Sequence, residues 1–219
     1  MRVVAAILAA GKGERFGSDK MLFPLDGKPL WRWSFETFKG CSDVDEVGLV
    51  CSSSNIKAIR SEADGAGFVA EGGAARQESV RRGLLASGNA DVLLLHDAAR
   101  PYVSAALISE VVRAVAESGA AAPAVPVTDT IRMRDGGLQL LDRSKLVAMQ
   151  TPQGIRTDIL RKAFDETMED FTDDIALAEA IGISPVLVPG EETNIKITQP
   201  ADVVRAIETR TGIGYDVHP

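Results

Sequence analysis

The chain is short of the residues on which much enzyme chemistry rests. Its 219 residues include two cysteines, Cys41 and Cys51, which form neither a CxxC pair nor any metal-type spacing. A disulfide framework, a zinc knot and a redox dithiol are set aside, leaving free thiols in a reducing compartment. Histidine is equally scarce, with His96 and His218 far apart. No Ser/His/Asp or Cys/His arrangement accompanies either, so acyl transfer has little support. Cations are outnumbered, 24 Lys and Arg against 31 Asp and Glu, for a formal charge of −7 and a pI near 5.0. That balance argues against a general nucleic-acid or membrane surface. The apolar run over 3–10 is too short for a membrane span and wrongly flanked for a signal peptide, so the cytoplasm is the expected location. There is no internal repeat or low-complexity tract.

What is present is an ordinary globular composition, 45% hydrophobic and 25% charged. It is enough for one sizeable core. Apolar runs predict strands over 3–9, 47–51, 68–70, 91–95, 121–127, 186–188 and 194–197. Amphipathic stretches predict helices over 30–38, 76–86, 104–118, 157–169 and 172–181. A further helix capped by Asn55 runs to about 63, and one opened by Pro200 runs to about 210. Alternation of this kind predicts an open, mostly parallel α/β sheet with flanking helices. Residues 131–141 break the pattern with a hairpin turning at Asp135-Gly136-Gly137. It is expected to protrude as a β-arm over about 131–150 and to pack on another subunit.

The densest signal is the first turn, Ala9-Ala10-Gly11-Lys12-Gly13-Glu14-Arg15-Phe16-Gly17-Ser18-Asp19-Lys20. Small residues let backbone N–H groups approach an anion, which Lys12, Arg15 and Lys20 then surround. Phe16 stands where a dinucleotide fingerprint needs its third glycine, and no Gly-Lys-Ser/Thr closes a Walker A loop. A phosphate loop of another kind remains. Cations and small polar groups recur over 72–79, 97–100 and 194–196, all predicted at strand ends or loops. In an open α/β sheet, ligands lie beyond the carboxyl ends of strands. Asp97 emerges there, where one carboxylate plus phosphate oxygens suits Mg²⁺; a loop cap or a partner for Arg100 is the alternative. His96, one residue earlier, reads as a hydrogen-bonded structural histidine.

Several pieces occur in a register that resembles a known family. They are Gly11-x-Gly13-x-Arg15 with Lys20, Gly72-Gly73 with Arg76 and Ser79, His96-Asp97-Ala98-Ala99-Arg100-Pro101, and Asp129-Thr130. Asp142-Arg143, Thr151-Pro152-Gln153, Thr172-Asp173 and Asn194-Ile195-Lys196-Ile197-Thr198 follow. Over about residues 2–210 the chain resembles the 2-C-methyl-D-erythritol 4-phosphate cytidylyltransferases, which have a Rossmann-like nucleotidyltransferase fold. The resemblance implies transfer of a cytidylyl group from CTP to a sugar-alcohol phosphate, releasing pyrophosphate, with Mg²⁺ as cofactor. It assigns Arg15, Lys20 and Lys196 to the triphosphate and transition state. Ala10, Gly11, Gly13, Gly73, Ser79 and Asp97 fall to the nucleotide, and Arg100, Thr130, Arg143, Thr151 and Thr172 to the alcohol phosphate.

Thr130 and Arg143 would complete the neighbouring subunit's site in a homodimer. Two positions depart from the family's pattern. Ala74 replaces a frequent acid, and Ser18-Asp19 replaces a common proline before the lysine. Residues 212–219, Gly212-Ile213-Gly214-Tyr215-Asp216-Val217-His218-Pro219, resemble the opening of the zinc-dependent 2-C-methyl-D-erythritol 2,4-cyclodiphosphate synthases. A cytidylyltransferase domain over 1–211 fused to the start of a second domain is therefore expected, in which Asp216 and His218 would bind metal only once that domain is complete. A ribitol-phosphate cytidylyltransferase and a non-catalytic CTP sensor are the competing readings.

Overall fold

A computed structural model describes residues 1–11, 16–17, 19–167, 171 and 173–203. The apolar run after Arg2 forms β1 (Val3–Ala9), the strand around which the main sheet is arranged. Its side chains alternate between two cores. Val3, Ala5, Ile7 and Ala9 enter one and Val4 and Ala6 the other, the period-two signature of a strand covered on both faces.

From β1 the chain makes a 3₁₀ turn (Lys20–Leu22) and a small ladder of β2 (Pro24–Leu25) and β3 (Lys28–Pro29). Asp26 and Gly27 close that ladder with φ of 53° and 78°, the left-handed pair that an Asp-Gly hairpin turn requires. Then come α1 (Leu30–Lys39), β4 (Glu46–Cys51), α2 (Ile56–Glu62), β5 (Val69–Glu71), α3 (Arg76–Ala86), β6 (Val92–Asp97), α4 (Ala105–Ser118) and β7 (Ala120–Pro126). The arm follows as β8 (Arg132–Arg134) and β9 (Leu138–Leu140), with a second 3₁₀ turn at Arg143–Lys145. The remaining elements are β10 (Val147–Met149), β11 (Gln153–Arg156), α5 (Thr157–Glu166), α6 (Ile175–Ala180) and β12 (Val186–Pro189).

The strand order is β10-β7-β11-β6-β1-β4-β5, with β12 beside β7. Pairing is parallel for β1 with β4 and β6, β4 with β5, and β7 with β12, and antiparallel where β10 and β11 join. The sheet is therefore mixed but mostly parallel. The chain fills the sheet from β1 through β4 to β5, and α3 then carries it back to β6 on the other side of β1. That reversal opens a crevice at the carboxyl ends of β1 and β6, where open α/β sheets bind ligands. The register sets Leu8 directly beside Asp97.

Helices α1 and α4 cover one face through Trp31, Phe35, Phe38, Ile108 and Val111, while α3, α5 and α6 cover the other through Val80, Leu84, Leu160 and Ile175. Each such side chain, once buried, contributes about 1.5–3 kcal/mol. Among the described residues no helix is long and apolar enough to cross a membrane. Cys41 and Cys51 are free and buried, and burial pushes the Cys51 thiol up to about 12.

Three expectations are corrected, and one strand is added. Residues 194–197 are not a strand: Ile197 N–H donates to Ala99 O at 2.8 Å, but that segment lies over loops, and no strand edge among the described residues pairs with it. The helix expected over 157–169 stops at Glu166, and the described part of the next begins only at Ile175. Asn55 precedes α2, but its side chain does not cap it, because its Oδ1 accepts from Ser52 N–H at 2.9 Å and its Nδ2 donates to Ala9 O at the end of β1. Strand β11, between β6 and β7, lacks a sequence signal because four residues around Gly154 show no alternation.

Gly154 is where α4 meets the sheet: a Cβ there would lie 2.5 Å from Val115 Cγ2, 3.0 Å from Leu94 Cδ2 and 3.1 Å from Val111 Cγ1. All three are buried in β6 or α4, so none can swing away. Gly154→Ala is expected to cost about 1–3 kcal/mol by overpacking, lowering Tm by several degrees in a circular-dichroism melt. An unchanged Tm would show that α4 is not seated tightly on β11.

Candidate functional site

The crevice holds a pocket of about 590 Å³. Ala10 and Gly11 enter it from the end of β1, Lys20 and Met21 from the 3₁₀ turn, and Ala74, Ala75, Arg76 and Ser79 from the start of α3. Asp97 and Ala99 come from the end of β6, and Lys196 and Thr198 from the segment near the carboxyl terminus. Stretches that the sequence scatters from one end of the chain almost to the other thus line one cavity.

Asp97 is the acid of this pocket, 9% exposed. Its Oδ2 lies 2.6 Å from Lys196 Nζ, and its Oδ1 accepts from Arg76 Nη2 at 3.3 Å. Burial by itself would raise its carboxyl, but Lys196 and then Arg76 outweigh it and hold Asp97 far below the usual carboxylate range. Arg76 also pairs with the buried Asp174. Burial opposes the guanidinium's charge, yet the two carboxylates more than compensate and raise its pKa.

Behind the carboxylate runs a hydrogen-bond chain whose direction is determined. His96 Nε2 lies 3.2 Å from the carbonyl of Arg100, an acceptor, so Nε2 carries the proton. Nδ1 must then accept, and the Thr151 hydroxyl donates to it at 3.1 Å. Asp97 N–H in turn donates to Thr151 Oγ1 at 3.1 Å. Burial pushes the His96 imidazole down to about 4, so it is neutral at pH 7, in the structural role its sequence context predicts.

The end of β1 and the turn at Lys20–Leu22 are fastened from behind. Asn55 Nδ2 donates to Ala9 O at 3.0 Å and to Asp19 Oδ1 at 3.3 Å, while Ser54 Oγ donates to Asp19 Oδ2 at 3.2 Å. Asp19 also accepts from Met21 N–H at 3.1 Å, capping the turn that carries Lys20. The residue that stands in place of a proline therefore fixes the turn by hydrogen bonds. Lys20 Nζ donates to Ile197 O at 3.0 Å, tying this turn to the segment that carries Lys196.

Around the start of α3, Gly72 is packed so closely that a Cβ would lie 2.5 Å from Ala10 Cβ and 2.8 Å from Ser79 Oγ. Gly73 N–H donates to Ser79 Oγ at 3.0 Å, and that hydroxyl donates to Ala75 O at 3.2 Å. Ser79 has therefore spent its proton and offers the pocket an acceptor only. At the departure Ala74, the backbone N–H donates to Glu78 Oε2 at 2.9 Å.

Not every expected residue reaches this pocket. Thr151 is buried behind Asp97, its hydroxyl proton committed to His96. Arg100 donates to Asn194 O at 2.7 Å and to Met149 O at 3.3 Å, bracing the carboxyl-terminal segment instead of lining the cavity. Thr130 and Arg143 lie on the arm, where Arg143 donates to Thr128 O at 2.7 Å. Gly13, Arg15, Thr172, Asp216 and His218 lie outside the described residues. Asp174 carries no role in the sequence reading, although Thr172-Asp173 immediately before it does. Its signal was an acid at the start of an apolar helix, which looks like an ordinary cap.

A family model described as IspD, 2-C-methyl-D-erythritol 4-phosphate cytidylyltransferase, matches residues 3–209. The chain belongs to this family. Among curated relatives, a 2-C-methyl-D-erythritol 4-phosphate cytidylyltransferase of Rubrobacter xylanophilus is 42% identical over 93% of this chain and 92% of its own length. A bifunctional enzyme IspD/IspF of Anaeromyxobacter sp. strain Fw109-5 is 40% identical over 99% of this chain, which spans only 61% of that relative. A second, from Anaeromyxobacter dehalogenans, is 41% identical, with the chain again spanning 60% of it. The crystal structure of the 2-C-methyl-D-erythritol 4-phosphate cytidylyltransferase from Thermus thermophilus superposes with a TM-score of 0.80 at 35% identity, covering 95% of this chain and 98% of that one. The bifunctional IspDF structure of Campylobacter jejuni gives 0.83 at 28% identity over 94% of this chain and 54% of that one. The fold is therefore the nucleotidyltransferase fold that the resemblance implied.

For this family member, the site's support has a definite pH signature. His96 takes up its proton near 4 when folded but at its ordinary value of 6.5 when unfolded, so the unfolded state binds the proton first. Stability should fall as pH drops from 6.5 to 4, by up to about 3 kcal/mol. Asp97, also lowered on folding, adds a loss of the same sign, but chiefly near and below its unfolded value of 3.8, outside that window. Urea melts at pH 7 and pH 4.5 should show the loss in the wild type and a smaller one in His96→Asn. Equal slopes in both would remove His96 from the account.

Proposed function

We propose that the chain transfers a cytidylyl group from CTP to 2-C-methyl-D-erythritol 4-phosphate, releasing pyrophosphate, as a step of isoprenoid biosynthesis. The observation that carries this reading is the convergence of Lys20, Lys196 and Arg76 with Asp97 in one crevice of an acidic protein. The attacking group is already a phosphate anion, so no general base is required. The difficulty is mutual repulsion between that anion and the triphosphate, and catalysis reduces to positioning and charge neutralisation. Lys20 and Lys196, which both line the pocket, supply that charge. Arg15 joins them in the family's pattern.

The nucleotide's phosphates would draw Lys196 Nζ away from Asp97, which frees one carboxylate oxygen. The acceptor-only Ser79 hydroxyl suits the amino group that distinguishes cytosine from uracil. Asp97 fits Mg²⁺ as a single protein carboxylate supplemented by phosphate oxygens, and among the described residues no cluster of three metal-binding side chains offers an alternative. When bound, the ion supplies further charge neutralisation.

A homodimer is part of the proposal. Two strands alone are marginal in water, and Met133, Leu138, Leu140 and Val147 are all exposed on and beside the arm. An arm seated on a second copy would cover them and bring Thr130 and Arg143 to the partner's alcohol phosphate. By analogy with the bifunctional relatives, the chain is proposed to be the cytidylyl-transferring part of a longer cytoplasmic protein that also carries a cyclodiphosphate synthase. A coding sequence ending at codon 219 would refute that extension.

Pyrophosphate release from CTP should be fast with methylerythritol phosphate and slow with ribitol phosphate. The reverse order selects the ribitol-phosphate reading, and binding of CTP without release selects the sensor. Lys196→Ala should still fold, at a lowered Tm because Asp97 loses its nearest cation, and lose about 100-fold or more in kcat at a temperature well below that Tm, as removal of a transition-state charge predicts. A near-wild-type rate would refute the clamp. Arg143→Ala should also be inactive with methylerythritol phosphate, yet mixing it with Lys196→Ala should restore activity, because a mixed dimer has one intact site. No recovery on mixing would place Arg143 in its own subunit's site or outside the reaction.

A further inference from the structure

Asp174 is a buried acid that the proposed reaction does not use. It stands at the start of α6, where an acid ordinarily caps its own helix, yet its side chain makes no such bond. The free amides are served by others. Gln153 Oε1, on β11, accepts from Asp174 N–H at 2.8 Å and from Ile175 N–H at 3.3 Å, and Asp173 Oδ1 accepts from Ile175 N–H at 3.0 Å. The Asp174 carboxylate, 3% exposed, is thereby left for Arg76. Its Oδ1 receives that guanidinium, and its Oδ2 is buried with no hydrogen-bond partner among the described residues. Burying a charge so incompletely served is costly, and a helix start needs nothing of the kind.

Arg76 explains why the acid is there. It is the first residue of α3, so its cation sits at the positive end of the helix dipole and gains nothing locally. Left alone in a pocket shaped for anions, a flexible guanidinium would have many rotamers. Asp174 takes one terminal nitrogen and Asp97 the other at 3.3 Å, and a planar fork held at both ends has essentially one orientation. Asp97 thus meets Lys196 on one oxygen and a fixed Arg76 on the other.

Given nucleotide binding in this pocket as proposed above, we infer that Asp174 is a positioning residue for the nucleoside triphosphate. It holds Arg76 so that Asp97 is aimed and charge-balanced before the nucleotide arrives. The role runs entirely through Arg76. Lysine, with one ammonium, cannot span both carboxylates, so Arg76→Lys should reproduce the loss of Asp174 while keeping the charge.

The test is titration calorimetry of CTP into the full chain, alongside thermal melts. Asp174→Asn keeps the shape and removes the charge. The expected result is about tenfold weaker CTP binding in Asp174→Asn and in Arg76→Lys, with the double variant no weaker than Arg76→Lys alone. Additive losses in the double variant would overturn action through Arg76. A lowered Tm with unchanged CTP affinity would mean that Asp174 only supports the fold, and it too would overturn the inference. Should Asp174→Asn fail to fold, Arg76→Lys decides by itself, since unchanged affinity there refutes the two-ended grip. A wild-type chain that binds no CTP would overturn the nucleotide reading and this one together, whereas wild-type binding with unaltered variants removes only the positioning role.

Discussion

One carboxylate at the end of β6 organises the site. Asp97 is nearly buried, and an acid in that position is tolerated only because Lys196 and Arg76 neutralise it. Each partner comes from a different part of the chain, and each is itself held. Arg76 is gripped from behind by Asp174, while the Lys196 segment is tied to Lys20 through Ile197 O and to Arg100 through Asn194 O. The pocket's charge is consequently a matched set, poised so that an incoming polyanion competes with a carboxylate for cations already in place.

The backbone beneath that carboxylate is equally determined. Asp97 N–H, Thr151, His96 and the Arg100 carbonyl form a directed chain that needs a neutral imidazole. A protonated His96 would point a donor at the Thr151 hydroxyl and reverse the chain. The histidine therefore serves the acid next to it without touching a ligand, which is consistent with the absence of any base from the chemistry proposed.

Much of this was legible in the chain, for physical reasons. Strands β1 and β6 announce themselves because burial on both faces demands unbroken apolar runs, and the glycines and cations that follow them mark the ligand edge. The arm is visible in Asp135-Gly136-Gly137. What escaped notice depends on partners far away in sequence. Four residues around Gly154 become β11 because of the strands on either side, not through any pattern of their own. Ile195 and Ile197 alternate like a strand but find no edge to join among the described residues. Asn55 and Asp174 both carry the look of helix caps, and both are diverted by tertiary contacts, one to Ala9 and Asp19 and one to Arg76.

The bond from Lys20 to the carbonyl of Ile197 joins two points 177 positions apart. A chain emerging from the ribosome can assemble β1, β4, β5 and β6 long before it has released that carbonyl. Until then, the last wall of the pocket is incomplete. Completion of the pocket is thus a late event in the life of each molecule, reserved for chains synthesised past Thr198. Partial products, however well their sheets have formed, lack one wall of the cavity.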